Sequence, residues 1–196
     1  MIGLLTLAIA YLVGAIPFGY LLVRLKTGED VRTMGSGNIG ATNVLRTSGR
    51  AVAIVTLLLD IGKGFFAVWL VGRLTDHSVL WMSLAALAVM AGHAYPVFLK
   101  FHGGKAVASC VGAFLCLTPL PMLAIMVVFV LVVAATKQIS MGSIIGAGCL
   151  PLATWLISHP PAPVLLAALL AGVFVIYRHQ ANIARIRAGN ENVLRF

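Results

Sequence analysis

The sequence predicts an all-α integral membrane protein: a single domain over residues 1–196 with about seven transmembrane helices. The N-terminus is expected outside and the C-terminus in the cytoplasm. Three observations lead there. Apolar types make up 61% of the 196 residues and only 10% are charged, with a mean hydropathy of +1.04, which no soluble globular domain matches. The apolar runs are long enough to cross a bilayer. The basic residues fall almost wholly in alternate loops.

The first run, residues 3–24, is too long and too lightly flanked by charge for a cleavable signal peptide, so it reads as a span. Pro17 should bend it, because proline removes a helix donor and clashes with the preceding turn. The second run, 52–72, carries Asp60 and Lys63 one turn apart. By helical rise they lie about 10–15 Å into the membrane. Charges there are costly, so they should pair with each other or face a polar cavity. The third run is 79–99. The fourth, 105–118, is short and closes at Thr118-Pro119-Leu120-Pro121, a turn signal. Runs 120–136 and 142–158 follow. Ser158-His159-Pro160-Pro161-Ala162-Pro163 makes a second tight break before the last run, 163–178.

Seven spans place residues 25–51, 100–105, 137–141 and the tail from 179 on one side. With Arg24 and Arg178 at its helix ends, that side takes all of the 14 Lys and Arg but Arg73 and Lys63; Arg195 in the tail is counted with it. The basic side is therefore expected in the cytoplasm. The net charge of +9 is thus mainly a topology signal, and nucleic acid is not an expected partner. Excess charge on that side would suit anionic substrates or lipid headgroups. Cys110, Cys116 and Cys149 sit in apolar runs without a C-x-x-C pair and read as small buried hydrophobes. The five histidines show no metal-ligand spacing, and no metal or cofactor is expected.

Polar segments of interest cluster on the basic side. Gly35-Ser36-Gly37-Asn38-Ile39-Gly40-Ala41-Thr42-Asn43-Val44-Leu45-Arg46 interleaves glycine with hydrogen-bonding side chains and ends on a cation. It matches G-x-G-x-x-G, but a dinucleotide fold needs a βαβ unit around it, and the flanks here are membrane helices. Glycines, exposed N–H groups and a cation suit a phosphate better than a plain linker. The second segment runs from Gly92-His93 to Gly103-Gly104-Lys105. Its end sits where a helix begins, so free N–H groups, the helix dipole and Lys105 favour an anion. Leu99 and Ala106 break the Walker A pattern, which argues against ATP. The third segment is Arg178-His179-Gln180-Ala181-Asn182-Ile183-Ala184-Arg185, continuing to Glu191. On a helix, His179 and Asn182 share a face. The fourth is Ser140-Met141-Gly142-Ser143, which reads as a helix start, with Ser143 able to donate to a ligand.

Taken together, three of these segments resemble the three motifs of the bacterial acyl-phosphate:glycerol-3-phosphate acyltransferase family, in order and along the whole chain. The match is GSGNIGATNVLRTSG, then GHAYPVFLKFHGGKAVA, then RHQANIARIRAGNE. Two departures are mild: His102 stands where lysine or arginine is common, and Ala106 where glycine is common.

The resemblance implies transfer of a fatty acyl group from acyl phosphate to the 1-hydroxyl of sn-glycerol 3-phosphate. The products would be lysophosphatidate and phosphate, in the first step of phospholipid synthesis. It implies a bacterial cytoplasmic (inner) membrane enzyme whose partners are these two substrates and membrane lipid. By the same resemblance, Ser36, Gly37, Asn38, Gly40, Thr42 and Asn43 would cradle phosphate, with Gly103 and Gly104 as the second such loop. Arg46 and Lys105 would neutralise it, and Ser143, His179 and Asn182 would orient glycerol 3-phosphate. His179 is the side chain suited by type and place to act as general base, with a substrate phosphate as the alternative. Glu191 would anchor the tail. The acyltransferase class with a histidine and an aspartate separated by four residues is absent, since no histidine has an aspartate five positions on. The reading from another class is a small transporter of phosphorylated metabolites, which an intramembrane Asp60–Lys63 pair would suit.

Overall fold

The computed structural model describes residues 2–194, so Arg195 lies outside the described residues. Every regular element among the described residues is helical. The chain forms two compact units that meet in sequence between Cys116 and Leu117.

The first unit begins with α1 (Ile2–Ala15) and α2 (Phe18–Thr27), interrupted at Pro17 as the sequence predicts. A loop leads to the short α3 (Ala41–Ser48), then to α4 (Arg50–Leu74), α5 (Val79–Ala94) and α6 (Val107–Leu117), whose last residue opens the second unit. Helices approach closely where glycine replaces a side chain. Gly14 of α1 lies against the Val89 carbonyl of α5, and Gly92 of α5 against the Tyr11 carbonyl of α1. Gly64 and Gly112 make the same kind of contact between α4 and α6. Dispersion between close backbones replaces the hydrophobic drive that lipid cannot supply.

The second unit holds α7 (Pro119–Thr136), α8 (Ile139–Ser158), α9 (Ala162–Arg178) and α10 (Gln180–Arg187). Lys137 turns the chain between α7 and α8 in a left-handed conformation, and His159 does so after α8. Gly172 of α9 packs on the Ala147 carbonyl of α8. The outer face of α7 exposes Leu120, Leu123, Val127, Val130 and Leu131. Such a face belongs in lipid.

Each of the seven apolar runs contains helix, but five helical segments are long and apolar enough to cross a membrane as single spans. A sixth arises if α9 and α10, bent by 59°, count as one. Helix α6 has 11 residues, about 16 Å by helical rise, half the hydrocarbon thickness.

Candidate functional site

The first motif is a loop folded around one side chain. Asn43 is buried on the first turns of α3. Its Oδ1 accepts from Ser36 N at 2.8 Å, and its Nδ2 donates to the carbonyls of Val31, Met34 and Asn38 at 3.2, 3.0 and 2.9 Å. Asn38 Oδ1 in turn accepts from Gly40 N at 2.8 Å, which sets the entry to α3. Gly35 and Gly37 have φ of +57° and +70°, conformations that side chains resist. The result is a tight bend with Ser36 and Gly37 exposed at its tip. Arg46, in the second turn of α3, is exposed and makes no ion pair among the described residues.

Beside the loop, Asp30 grips Arg32 through a forked pair, with Nη2 to Oδ2 at 2.6 Å. That guanidinium holds the Asp30 carboxyl below its ordinary range, against the opposing effect of burial. Arg32 also lies over the Tyr20 ring at 5.2 Å.

The second motif shares a small core with the first. Ile39 and Val44 of the first pack with Leu99 of the second, together with Val23, Val31 and Ala53. The segment from Tyr95 to Ala106 then folds back on the end of α5. Gly103 N donates to Ala94 O at 3.2 Å and Gly104 N to His93 O at 3.0 Å. Lys105 stands two residues before α6. Ala106 has φ of +60°, a left-handed conformation that glycine would take without strain.

Asp60 and Lys63 form a buried pair at 2.8 Å. Lys63 also donates to the Ile16 carbonyl at 2.8 Å, next to the Pro17 break, and lies 5.5 Å over the Phe18 ring. Asp60 reaches His93 Nδ1 at 3.6 Å. The pair expected from sequence therefore extends to a third member, 33 positions away in the chain, that local spacing cannot reveal.

In the second unit, His179 sits at the junction of α9 and α10 and is buried. Its Nδ1 lies 2.7 Å from the Val175 carbonyl, so in the neutral ring Nδ1 carries the proton and Nε2 is the basic nitrogen. Asn182 is also buried, and its Nδ2 donates to Glu191 Oε1 at 2.8 Å. The same oxygen accepts from Ser140 Oγ at 3.1 Å, and Oε2 accepts from Arg185 Nε at 2.8 Å. Burial alone would raise the Glu191 pKa, but these three hydrogen bonds hold it below the ordinary carboxylate range. The helix start expected at Ser140 lies slightly earlier, since α8 begins at Ile139 after Gln138. Ser143 is consequently in the second turn, and its hydroxyl donates to Ile139 O at 2.9 Å.

The structure thus joins Ser36, Asn38, Gly40 and Asn43 in one loop and gathers Gly103, Gly104 and Lys105 beside His93. It also gathers Asn182, Ser140 and Arg185 around Glu191. A model described as glycerol-3-phosphate acyltransferase matches residues 4–189. The chain belongs to that family. It is 47% identical over 189 residues to the glycerol-3-phosphate acyltransferase of Geobacter sulfurreducens, covering 96% of each chain. The enzyme of that name from Desulforamulus reducens is 44% identical over 93% of this chain and 90% of its own. Among solved structures, it resembles PlsY (YgiH), an integral membrane glycerol 3-phosphate acyltransferase, in its glycerol 3-phosphate form. The TM-score is 0.93 at 34% identity, covering 98% of this chain and 96% of that one. The lysophosphatidic acid form of the same enzyme gives a TM-score of 0.89 at 32% identity, over 98% and 95% of the two chains. Family membership makes the chain a membrane acyltransferase of phospholipid synthesis.

Proposed function

We infer that the protein moves a fatty acyl group from an acyl phosphate to the 1-hydroxyl of sn-glycerol 3-phosphate. It works in the bacterial cytoplasmic membrane with seven spans, its N-terminus outside and its site facing the cytoplasm. The observation that carries this reading is the loop at 35–46, whose interior is satisfied by Asn43 while Ser36, Gly37 and the Arg46 cation face outward. That is a ready anion site on the basic side of the chain. The acyl acceptor follows from the relatives, which are glycerol-3-phosphate acyltransferases.

An acyl phosphate is a mixed anhydride, so its leaving group is already good. The glycerol oxygen attacks the carbonyl carbon and forms the ester bond. The bond from that carbon to the phosphate oxygen breaks, and phosphate leaves with the electron pair. The hydroxyl proton passes to His179 Nε2 or to the departing phosphate. Catalysis then needs mainly positioning and charge stabilisation. Ser36, Gly37, Asn38, Gly40 and Thr42 present the first loop, and Asn43 builds it from within. Gly103 and Gly104 form the second loop, and Arg46 and Lys105 neutralise phosphate. Ser143, His179 and Asn182 orient glycerol 3-phosphate, with Ser143 accepting or turning from Ile139 O to donate.

The test offers labelled glycerol 3-phosphate to purified protein with palmitoyl phosphate, palmitoyl-CoA or palmitoyl acyl carrier protein in parallel. Lysophosphatidate from the acyl phosphate alone is expected. Product only from thioesters would overturn the donor. No product from any donor, together with net glycerol 3-phosphate flux into sealed vesicles, would establish the transporter instead. His179→Ala should lower the rate of chemistry with glycerol 3-phosphate affinity kept; loss of affinity alone would make His179 a binding residue.

A further inference from the structure

Asp60 lies in the middle of α4, buried, in a membrane-spanning segment. A carboxylate there is costly and needs a reason. Its partner Lys63 has a structural one, since it satisfies the Ile16 carbonyl at the helix break. Asp60 has a second neighbour, the Nδ1 of buried His93 at 3.6 Å. The other edge of that ring faces the glycine loop. A Cβ on Gly104 would lie 2.8 Å from His93 Cδ2 and closer still to Nε2. The main chain of the same residue accepts from Gly104 N at 3.0 Å, and that of the next, Ala94, from Gly103 N at 3.2 Å. His93 therefore stands as a strut, with Nδ1 toward the intramembrane carboxylate and Nε2 against the α-carbon of Gly104.

The geometry points to Asp60 as a positioning residue that acts through His93 to set the Gly103-Gly104-Lys105 loop for its phosphate. This rests on the acyl phosphate and glycerol 3-phosphate reading of the site. It assigns the Asp60–Lys63 pair a role in substrate binding as well as in the helix break. Three groups are in register here, from α4, α5 and the loop before α6, and all lie in the first unit.

The test is steady-state kinetics on both substrates with full-length protein in lipid, using palmitoyl phosphate and glycerol 3-phosphate. Asp60→Asn keeps the side-chain size and removes the charge. It should raise KM for one of the two phosphate substrates about tenfold. The other KM should stay within twofold and kcat within threefold. If that single variant does not accumulate folded, Asp60→Asn with Lys63→Met removes both charges together and is read in the same way. A second readout comes from Gly104→Ala, which collides with the ring. Adding His93→Ala opens space for the new methyl. The double variant should be no worse than Gly104→Ala alone, whereas strictly additive losses would overturn the strut. Unchanged KM values with only a lower melting temperature would reduce Asp60 to a structural ion. Equal losses on both substrates and kcat would overturn the proposal too. A wild-type protein that makes no lysophosphatidate from palmitoyl phosphate would instead overturn the underlying reading and this inference with it. Normal wild-type activity beside a normal Asp60→Asn KM would sink the strut alone.

Discussion

Replacing Asn43 by alanine should disable the enzyme by unfolding one loop. The residue is 2% exposed and ties four backbone groups together, one through Oδ1 and three through Nδ2. An amide has only two N–H groups, so the three carbonyls share them, and three to four effective bonds are lost. At about 1 kcal/mol each, the ordered loop loses roughly 3–4 kcal/mol. At 1.4 kcal/mol per tenfold, the ordered population shifts by two to three decades. The expected result is a fall in kcat/KM of about 100-fold, measured as labelled lysophosphatidate formed from palmitoyl phosphate. If the whole cost fell on global stability, a chain of this size would lose on the order of 6–16 °C in Tm. Local opening limits that loss, so the melting temperature in detergent should drop less than activity implies. Asn43→Asp keeps the acceptor for Ser36 N but sets a carboxylate against three carbonyls. It should do no better than alanine. Either variant within threefold of wild type would refute the reasoning.

Arg46→Ala should lower kcat/KM about 10- to 100-fold, the worth of one charge-assisted hydrogen bond, with Tm unchanged because the side chain is exposed and pairs with nothing among the described residues. Glu191 carries a lowered pKa, so its stabilisation is complete above the ordinary carboxylate range and is lost as pH falls through its folded value. Wild type should therefore melt well above Glu191→Gln at pH ~7 and lose that advantage on acidification toward pH ~3; a constant gap between them would exclude the linkage. Ala106→Gly relieves about 1–2 kcal/mol of left-handed strain but gives up about 0.8 kcal/mol of methyl burial and about 0.5–1 kcal/mol of chain entropy. It should be nearly neutral in Tm and activity, and a tenfold activity loss would show that the methyl group has another role. In spheroplasts, a cysteine placed at His159 should react with an impermeant thiol reagent and one at Lys137 should not; the reverse pattern would invert the proposed topology.

The helical membrane class was legible because it follows from composition and run length, which act through transfer free energy summed along the chain. The break at Pro17 and the turn after Ser158 were legible for the same local reason: proline chemistry acts on its immediate neighbours. The three motif segments stood out as polar residues in an apolar chain, and family resemblance then gave them an expected chemistry. Other features lay beyond that reading. Helix α6 is 11 residues long, and run length alone did not show how much of 105–118 would wind into helix. Asn43 looked like one more ligand of a phosphate loop, yet the fold turns it inward, because buried carbonyls need donors more than a solvated anion does. Asp60 and Lys63 were visible as a pair through their one-turn spacing. Their link to His93 depends on how α4 packs near the end of α5. Sequence alone determined that this chain lives in a membrane, where it is polar, and which chemistry those segments resemble. Tertiary structure alone decided which polar groups face outward and which hold the others in place, because that choice depends on contacts between residues far apart in the chain.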